Sequence, residues 1–180
     1  VPKDDDVKIL DLTVFNKPFE RFVKALKEYK PDIVGFTGFS SNAEVVRLLA
    51  KTTKKELSSA LVVVGGIHAT IVPHDYNIEE IDLIVRGEGA HVFKEIIKRY
   101  KNKEDLFFDT RCLSRKDKNF SQNLQAPPPA YPPIETIPLP RRDLVDRKKY
   151  FCTWTSSPNH WLNSLFPQIA SMRTSQGCAY

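Results

Sequence analysis

The 180-residue chain holds only three cysteines, Cys112, Cys152 and Cys178, an odd and widely spaced set. That spacing argues against a disulfide framework and marks Cys112 and Cys152 as packed or half-exposed thiols. No apolar run approaches the ~20 residues that cross a bilayer, and the opening Val1-Pro2-Lys3-Asp4-Asp5-Asp6 does not resemble a signal peptide. A cytoplasmic location is therefore expected. Absent too are Gly-x-Gly-x-x-Gly after a strand and Gly-Lys followed by Ser or Thr, so dinucleotide and P-loop sites lack their anchoring residues. No strand ends in an aspartate placed to accept a phosphoryl group, which a receiver domain requires. The net charge of +5 is not gathered into a basic face, because 27 Lys and Arg are mixed with 22 Asp and Glu, and nucleic acid is not an expected partner.

With 41% hydrophobic and 27% charged residues, the composition is that of a folded globular chain. Its length fits one domain plus an appendage, since domains cluster at roughly 100 to 150 residues. Short β-branched runs alternate with amphipathic stretches from Val7 to about Lys101, the pattern of βα units on a parallel sheet. Strands are expected at Val7–Leu12, Asp32–Gly38, Ala60–Val64 and Ile81–Arg86. Helices are expected at Pro18–Tyr29, with Phe19, Phe22, Val23 and Leu26 on one face, and from a Ser41-Asn42-Ala43-Glu44 capping box to Leu57, with Val45, Leu48 and Leu49 inward. A short turn of helix at Ile67–Ile71 and a closing helix at Ala90–Tyr100, burying Val92, Phe93, Ile96 and Ile97, complete the reading. The fold class is α/β, a doubly wound, mostly parallel, Rossmann-like or flavodoxin-like sheet over residues 1–103. Four strands make a thin sheet of this kind, so a further strand is expected upstream of Val1.

Beyond Lys103 the composition changes. Phe107–Ser114 and Asn119–Asn123 read as a β-hairpin within 104–124. The prolines at 127–129, 132, 133, 138 and 140 forbid helix and central strand, so 125–142 reads as extended, within a connector that runs to 146. Residues 147–180 carry Tyr150, Phe151, Trp154, Trp161, Leu162, Leu165 and Phe166, too aromatic for a free linker, and are expected to pack on a further domain.

Ligands of open parallel sheets bind beyond the carboxyl ends of the strands. Three loops there are small and hydroxyl-rich: Thr37-Gly38-Phe39-Ser40-Ser41, Gly65-Gly66-Ile67-His68-Ala69-Thr70 and Gly87-Glu88-Gly89. Small residues admit a bulky flat ligand to the backbone, and helix starts favour phosphate. Each glycine alone serves equally well as a tight βα turn; three such loops in succession point to a ligand. The candidate binding residues are Thr37, Gly38, Phe39, Ser40, Ser41, Gly65, Gly66, Ile67, His68, Gly87, Glu88 and Gly89. Glu88 either receives a ligand amide or caps its helix, and Arg86 is expected to pair with a neighbouring acid. His74, His91 and His160 lack metal-ligand spacing and are given no role.

Two stretches, Lys30 to Phe39 with its Thr-Gly-Phe end and Val62-Val63-Val64-Gly65-Gly66, resemble the cobalamin-binding fold of methionine synthase, the mutases and many radical S-adenosylmethionine enzymes. Thr37 stands for that family's serine and Phe39 for its leucine. By this resemblance Thr37, Gly65 and Gly66 line the slot for the benzimidazole tail. Gly65 to Thr70, Arg86-Gly87-Glu88-Gly89-Ala90 and Pro138-Leu139-Pro140-Arg141-Arg142-Asp143 are similar to stretches of the radical subgroup, in the same order. Arg173-Thr174-Ser175-Gln176-Gly177-Cys178-Ala179-Tyr180 resembles the opening of its C-x3-C-x2-C motif, whose thiolates hold a 4Fe-4S cluster that binds S-adenosylmethionine. The resemblance implies cobalamin as cofactor, Cys178 as one cluster ligand, and a C-terminal radical S-adenosylmethionine domain as intramolecular partner. It implies methyl transfer to an unactivated carbon or phosphorus centre. Tetrapyrrole ring formation, a docking domain that no longer binds cobalamin, and a flavodoxin-like nucleotide binder stand as alternatives. The Asp-x-His-x-x-Gly loop, source of a lower cobalt ligand in some relatives, has no counterpart here, and His68 is a candidate for ligand contact.

Overall fold

Three β-branched runs build the parallel part of the sheet in the computed structural model, which describes residues 5–114, 117, 119–127, 132–137, 139 and 141–145. They are β1 (Ile33–Thr37), β2 (Leu61–Gly65) and β3 (Leu83–Val85), and a short β4 (Cys112–Leu113) pairs antiparallel with β3. The order is β1-β2-β3-β4. Val34 lies opposite Val62 and Phe36 opposite Val64, while Val63 faces Leu83 across the next pair.

Because strand side chains alternate, β2 supplies both cores. Val62 and Val64 pack with Ala43, Val46 and Ala50 of α2 (Ala43–Glu56) on one face. Val63 packs with Val92 and Ile96 of α4 (Ala90–Asn102) on the other. Helices therefore cover both faces, as the near-continuous apolar strands require. On the α2 side, α1 (Pro18–Tyr29) adds Phe22 and Leu26 against Leu49 and the half-buried Val34 and Phe36. A five-residue helix α3 (Ile67–Ile71) and a 3-10 turn Pro73–Tyr76 connect β2 to β3.

Several expectations fail for physical reasons. Val7–Leu12 is not a strand: the segment is irregular and runs into a 3-10 turn at Leu12–Val14, where the Asp11 carboxylate accepts the Thr13 N–H at 3.0 Å. No described strand lies beside it to satisfy a ladder, and a cavity of about 1310 Å³ separates it from β1, lined by Leu10, Leu12, Phe22, Val34, Phe36 and Ile97 among others. The hairpin reduces to β4, and Phe120–Gln125 forms a helix, α5. Asp117 starts it: its carboxylate accepts the Asn119 N–H at 3.0 Å and its carbonyl the Phe120 N–H at 3.1 Å. Phe120 and Leu124 then share a face at helical spacing and pack on the α2-side core.

The expected inner faces hold for Phe22 and Leu26 of α1, Leu49 of α2 and Val92, Ile96 and Ile97 of α4, but not for three other residues. Phe19, Val45 and Leu48 are exposed at 45%, 52% and 51%, while Val46, Leu49, Ala50 and Thr53 form the inner stripe of α2. The capping box is not made: residues 40–42 form a 3-10 turn, Asn42 caps α2 without a side-chain bond, and Glu44 is held by Arg47. The proline-rich stretch is not uniformly extended, since Ile134–Thr136 and Arg142–Leu144 are 3-10 turns. Expectations for Cys152, His160, Cys178 and the rest of 147–180 lie outside the described residues. Among those described, no helix is long and apolar enough to cross a membrane.

Cys112 is buried at 1% exposure between β3 and the α4 face. Burial, helped by the Asp109 carboxylate, pushes its thiol pKa from 9.0 up to about 12. The native thiol should resist iodoacetamide at pH 8 and react once the chain is unfolded by urea, measured by mass spectrometry. Because the folded pKa is raised, the stability contributed by the neutral thiol is complete below about pH 9 and is lost as pH rises toward 12. Denaturation midpoints should therefore fall less steeply with pH over that window in Cys112→Ala than in the wild type.

Candidate functional site

The parallel register delivers the first two candidate loops to one edge, with Thr37 directly opposite Gly65. Gly66 then turns at φ 94 and ψ −172, a conformation essentially reserved for glycine. A Cβ on Gly66 would lie 2.5 Å from the Thr37 hydroxyl oxygen and 3.3 Å from the Gly38 nitrogen, so the two loops touch there through a missing side chain. Gly38 is similarly crowded, by the Asn42 side-chain oxygen at 2.6 Å from its notional Cβ. Gly65 differs: a Cβ there would meet the Val85 carbonyl at 3.6 Å and the Val85 Cβ at 3.9 Å, both ordinary contacts. The protein's own packing does not demand glycine at that position.

Thr70 ties the second loop to the third. Its hydroxyl donates to the Gly66 carbonyl at 2.9 Å and accepts the Gly87 N–H at 2.9 Å, where Gly87 turns at φ 72. Glu88 resolves toward capping, since its carboxylate accepts the Ala90 N–H at 3.1 Å at the start of α4. Among the described residues Arg86 pairs with carbonyls rather than with the expected acid. The residue is 4% exposed, its guanidinium donates to the carbonyls of Thr70 at 3.3 Å and Asn123 at 3.1 Å, and burial lowers its pKa from the usual arginine value. It thereby pins α5 to the same end of the sheet.

His68, 5% exposed, is bonded at both ring nitrogens. Nδ1 lies 3.0 Å from the Ser40 hydroxyl, and Nε2 lies 3.0 Å from an Asp75 carboxylate oxygen. The Tyr76 ring meets the imidazole edge-on, with centroids 5.3 Å apart and planes at 84°. A ring held in this way has no free nitrogen for a metal. Ser40 is engaged here rather than in capping α2, and Ser41 stays exposed within the 3-10 turn.

Two buried polar atoms near these loops, Asn42 Oδ1 and the Tyr76 hydroxyl, have no hydrogen-bond partner among the described residues. Burial and the neighbouring Asp75 carboxylate raise the Tyr76 pKa, against an opposing pull from Arg47. Phe39 and Ile67 leave apolar surface at the rim, 69% and 44% exposed. The structure thus joins Thr37, Gly38, Ser40, Gly65, Gly66 and His68, whereas Glu88 and Gly89 serve the start of α4. Asn42 and Thr70, read from sequence only as parts of a cap and a loop, and Asp75 and Tyr76, not singled out at all, join the candidate residues here. Asp75 is seven positions past His68, beyond Pro73, and only the turn of chain through α3 folds it back. No described cluster of His, Cys, Asp or Glu could hold a metal ion.

An uncharacterized methyltransferase of Pyrococcus horikoshii is 33% identical over 153 residues, covering 83% of this chain and 33% of the relative. A hopanoid C-3 methylase of Methylococcus capsulatus is 30% identical over 180 residues, 97% of this chain and 31% of its own length. An anaerobic magnesium-protoporphyrin IX monomethyl ester cyclase of Cereibacter sphaeroides is 35% identical over 109 residues, 59% of this chain and 17% of the relative. The chain spans about a third of the length of the first and second of these relatives. Residues 3–97, which include all three loops, match the B12-binding domain, and the chain belongs to that family.

Proposed function

We propose that this chain is the cobalamin-binding module of a radical S-adenosylmethionine enzyme that transfers a methyl group to an unactivated carbon or phosphorus centre. Gly65 carries the reading: it lies opposite Thr37 at the carboxyl edge and lacks a side chain that the surrounding protein would have accommodated. The space so kept suits a ligand rather than a packing partner. Thr37, Gly38, Gly65 and Gly66 form one close-packed edge with little side chain above it, and Phe39 and Ile67 offer apolar surface beside it to a flat macrocycle.

Bound cobalamin supplies a methyl carrier. This chain's residues bind and orient it: the Thr37 hydroxyl offers a hydrogen bond, the glycine backbone allows close approach, and the Thr70 staple holds the second and third loops together. Cys178 would contribute one thiolate to the 4Fe-4S cluster that binds S-adenosylmethionine, within a C-terminal radical domain. Names of relatives that include a methyltransferase and a methylase support methyl transfer. Radical ring formation is the second reading, favoured by the 35% identity to the cyclase over 109 residues.

Titration of the purified protein with hydroxocobalamin should shift the corrin absorption spectrum and leave corrin bound after gel filtration. No shift and no retained corrin would overturn the reading in favour of a docking domain. Gly65→Ala separates a ligand slot from a folding requirement, because its backbone is not left-handed. The variant should gain about 0.4–1 kcal/mol in urea denaturation while losing about tenfold in hydroxocobalamin affinity, ~1.4 kcal/mol. Gly66→Ala, by contrast, should lose roughly 1–3 kcal/mol of stability from backbone strain alone.

A further inference from the structure

The bonds Asp75–His68–Ser40 run from a carboxylate, through a ring that is 5% exposed, to an exposed hydroxyl at the rim of the site. We propose that this chain is a positioning device that makes the Ser40 oxygen a hydrogen-bond acceptor toward the ligand, selecting an N–H donor such as a carboxamide on the macrocycle. The identity of that ligand rests on the cobalamin reading; the arrangement of protons does not.

The assignment follows from donor counting. An ionised carboxylate has no proton to give, so the 3.0 Å contact between Asp75 and Nε2 places the proton on Nε2. A neutral imidazole then has only lone-pair density at Nδ1. The 3.0 Å contact with Ser40 is made by the serine O–H donating inward. A hydroxyl has one proton, and with that proton committed, what Ser40 presents outward is lone pairs.

Each member is fixed from another direction. The Tyr76 ring sets the imidazole plane by its edge-on contact at 84°. Asp75 sits in the turn that Pro73 opens, its carbonyl accepts from the Arg47 guanidinium at 3.4 Å, and its second carboxylate oxygen lies 3.5 Å from His74. Ser40 belongs to the 3-10 turn before α2. Replacing Asp75 by asparagine would let an amide N–H donate to Nε2, moving the ring proton to Nδ1 and turning the Ser40 proton outward. The same replacement in a Ser-His-Asp triad yields the wrong tautomer with intact geometry.

The test uses the full-length protein labelled with 15N-histidine, with and without hydroxocobalamin. Long-range 1H–15N spectra at neutral pH should show His68 protonated at Nε2 and bare at Nδ1, and Asp75→Asn should reverse this. An imidazolium or an Nδ1–H tautomer in the wild type overturns the proposal. Hydroxocobalamin affinity should fall about tenfold in Ser40→Ala and in Asp75→Asn, and Ser40→Thr should restore it. Wild-type affinity in Ser40→Ala, a rim substitution that leaves the core intact, shows that the hydroxyl does not face the ligand and overturns the proposal. A wild type that binds no corrin overturns the functional reading and the ligand named here. The tautomer measured in the same sample then decides separately whether the positioning chain is built.

Discussion

The contact between the Thr37 hydroxyl and the backbone of Gly66 governs how the carboxyl edge of this sheet is assembled. With a notional Cβ only 2.5 Å from that oxygen, the first and second loops can lie this close only while residue 66 is glycine, and its φ of 94 sends the chain into α3. That direction brings His68 over Ser40 and Thr70 under Gly87. From Thr70 the linkage continues to Arg86, whose guanidinium reaches the carbonyl of Asn123 in α5. A single backbone conformation therefore places a histidine, a buried arginine and a threonine staple whose hydroxyl bonds back to the Gly66 carbonyl. The cost of the left-handed turn is met by the bonds that it makes possible.

The sheet below this edge is asymmetric in its burial, and the asymmetry explains which elements the sequence displayed. β2 is covered on both faces, with Val62 and Val64 at 0% exposure and Val63 at 3%, and its uniform β-branched run was legible as a buried parallel strand. β1 lies between β2 and the cavity, so its Ile33, Val34 and Phe36 are only half-buried. Val7–Leu12 carries strand-like residues but has no described ladder to join, and propensity without a partner does not make a strand. Asn119–Asn123 was misread as a strand because a five-residue segment with Phe120 as its apolar residue cannot reveal whether its apolar period is 2 or 3.6. The turn at Asp117 settles it, through bonds that no periodicity encodes.

The glycine-rich loops of the site were legible because each backbone demand leaves a specific mark: Gly66 and Gly87 have positive φ, and Gly38 is crowded by Asn42. The polar network was not. Ser41 looked like the cap of α2, since hydroxyls before a helix usually serve its free N–H groups, and Ser40 looked like a ligand contact with no partner in the protein. Here Ser40 binds a ring 28 positions away, which only the return of the chain through β2 makes possible. Asp75 was invisible for the same reason, and Arg86 looked like half of an ion pair because buried guanidiniums usually find a carboxylate. Two carbonyl acceptors hold it instead, and desolvation lowers its pKa as such a site should.

The state of His68 bears on how the site can use a metal-containing ligand. A histidine next to a bound corrin is a natural candidate for the lower cobalt ligand, and it follows a glycine pair at the mouth of the slot. Ligation through Nδ1 would break the Ser40 bond, and ligation through Nε2 would leave the Asp75 carboxylate without its partner. Either nitrogen would also have to swing out of a position 5% exposed and edge-on to a Tyr76 that is wholly buried. Losing a hydrogen bond to a charged group costs about 1.5–3 kcal/mol, and the buried ring would forfeit its packing in addition. The ring is consequently better suited to directing a hydroxyl than to donating a lone pair to cobalt. With cobalamin bound, these loops would offer it glycine backbone and hydroxyls, while His68 would stay in the bonds it already makes to Ser40 and Asp75.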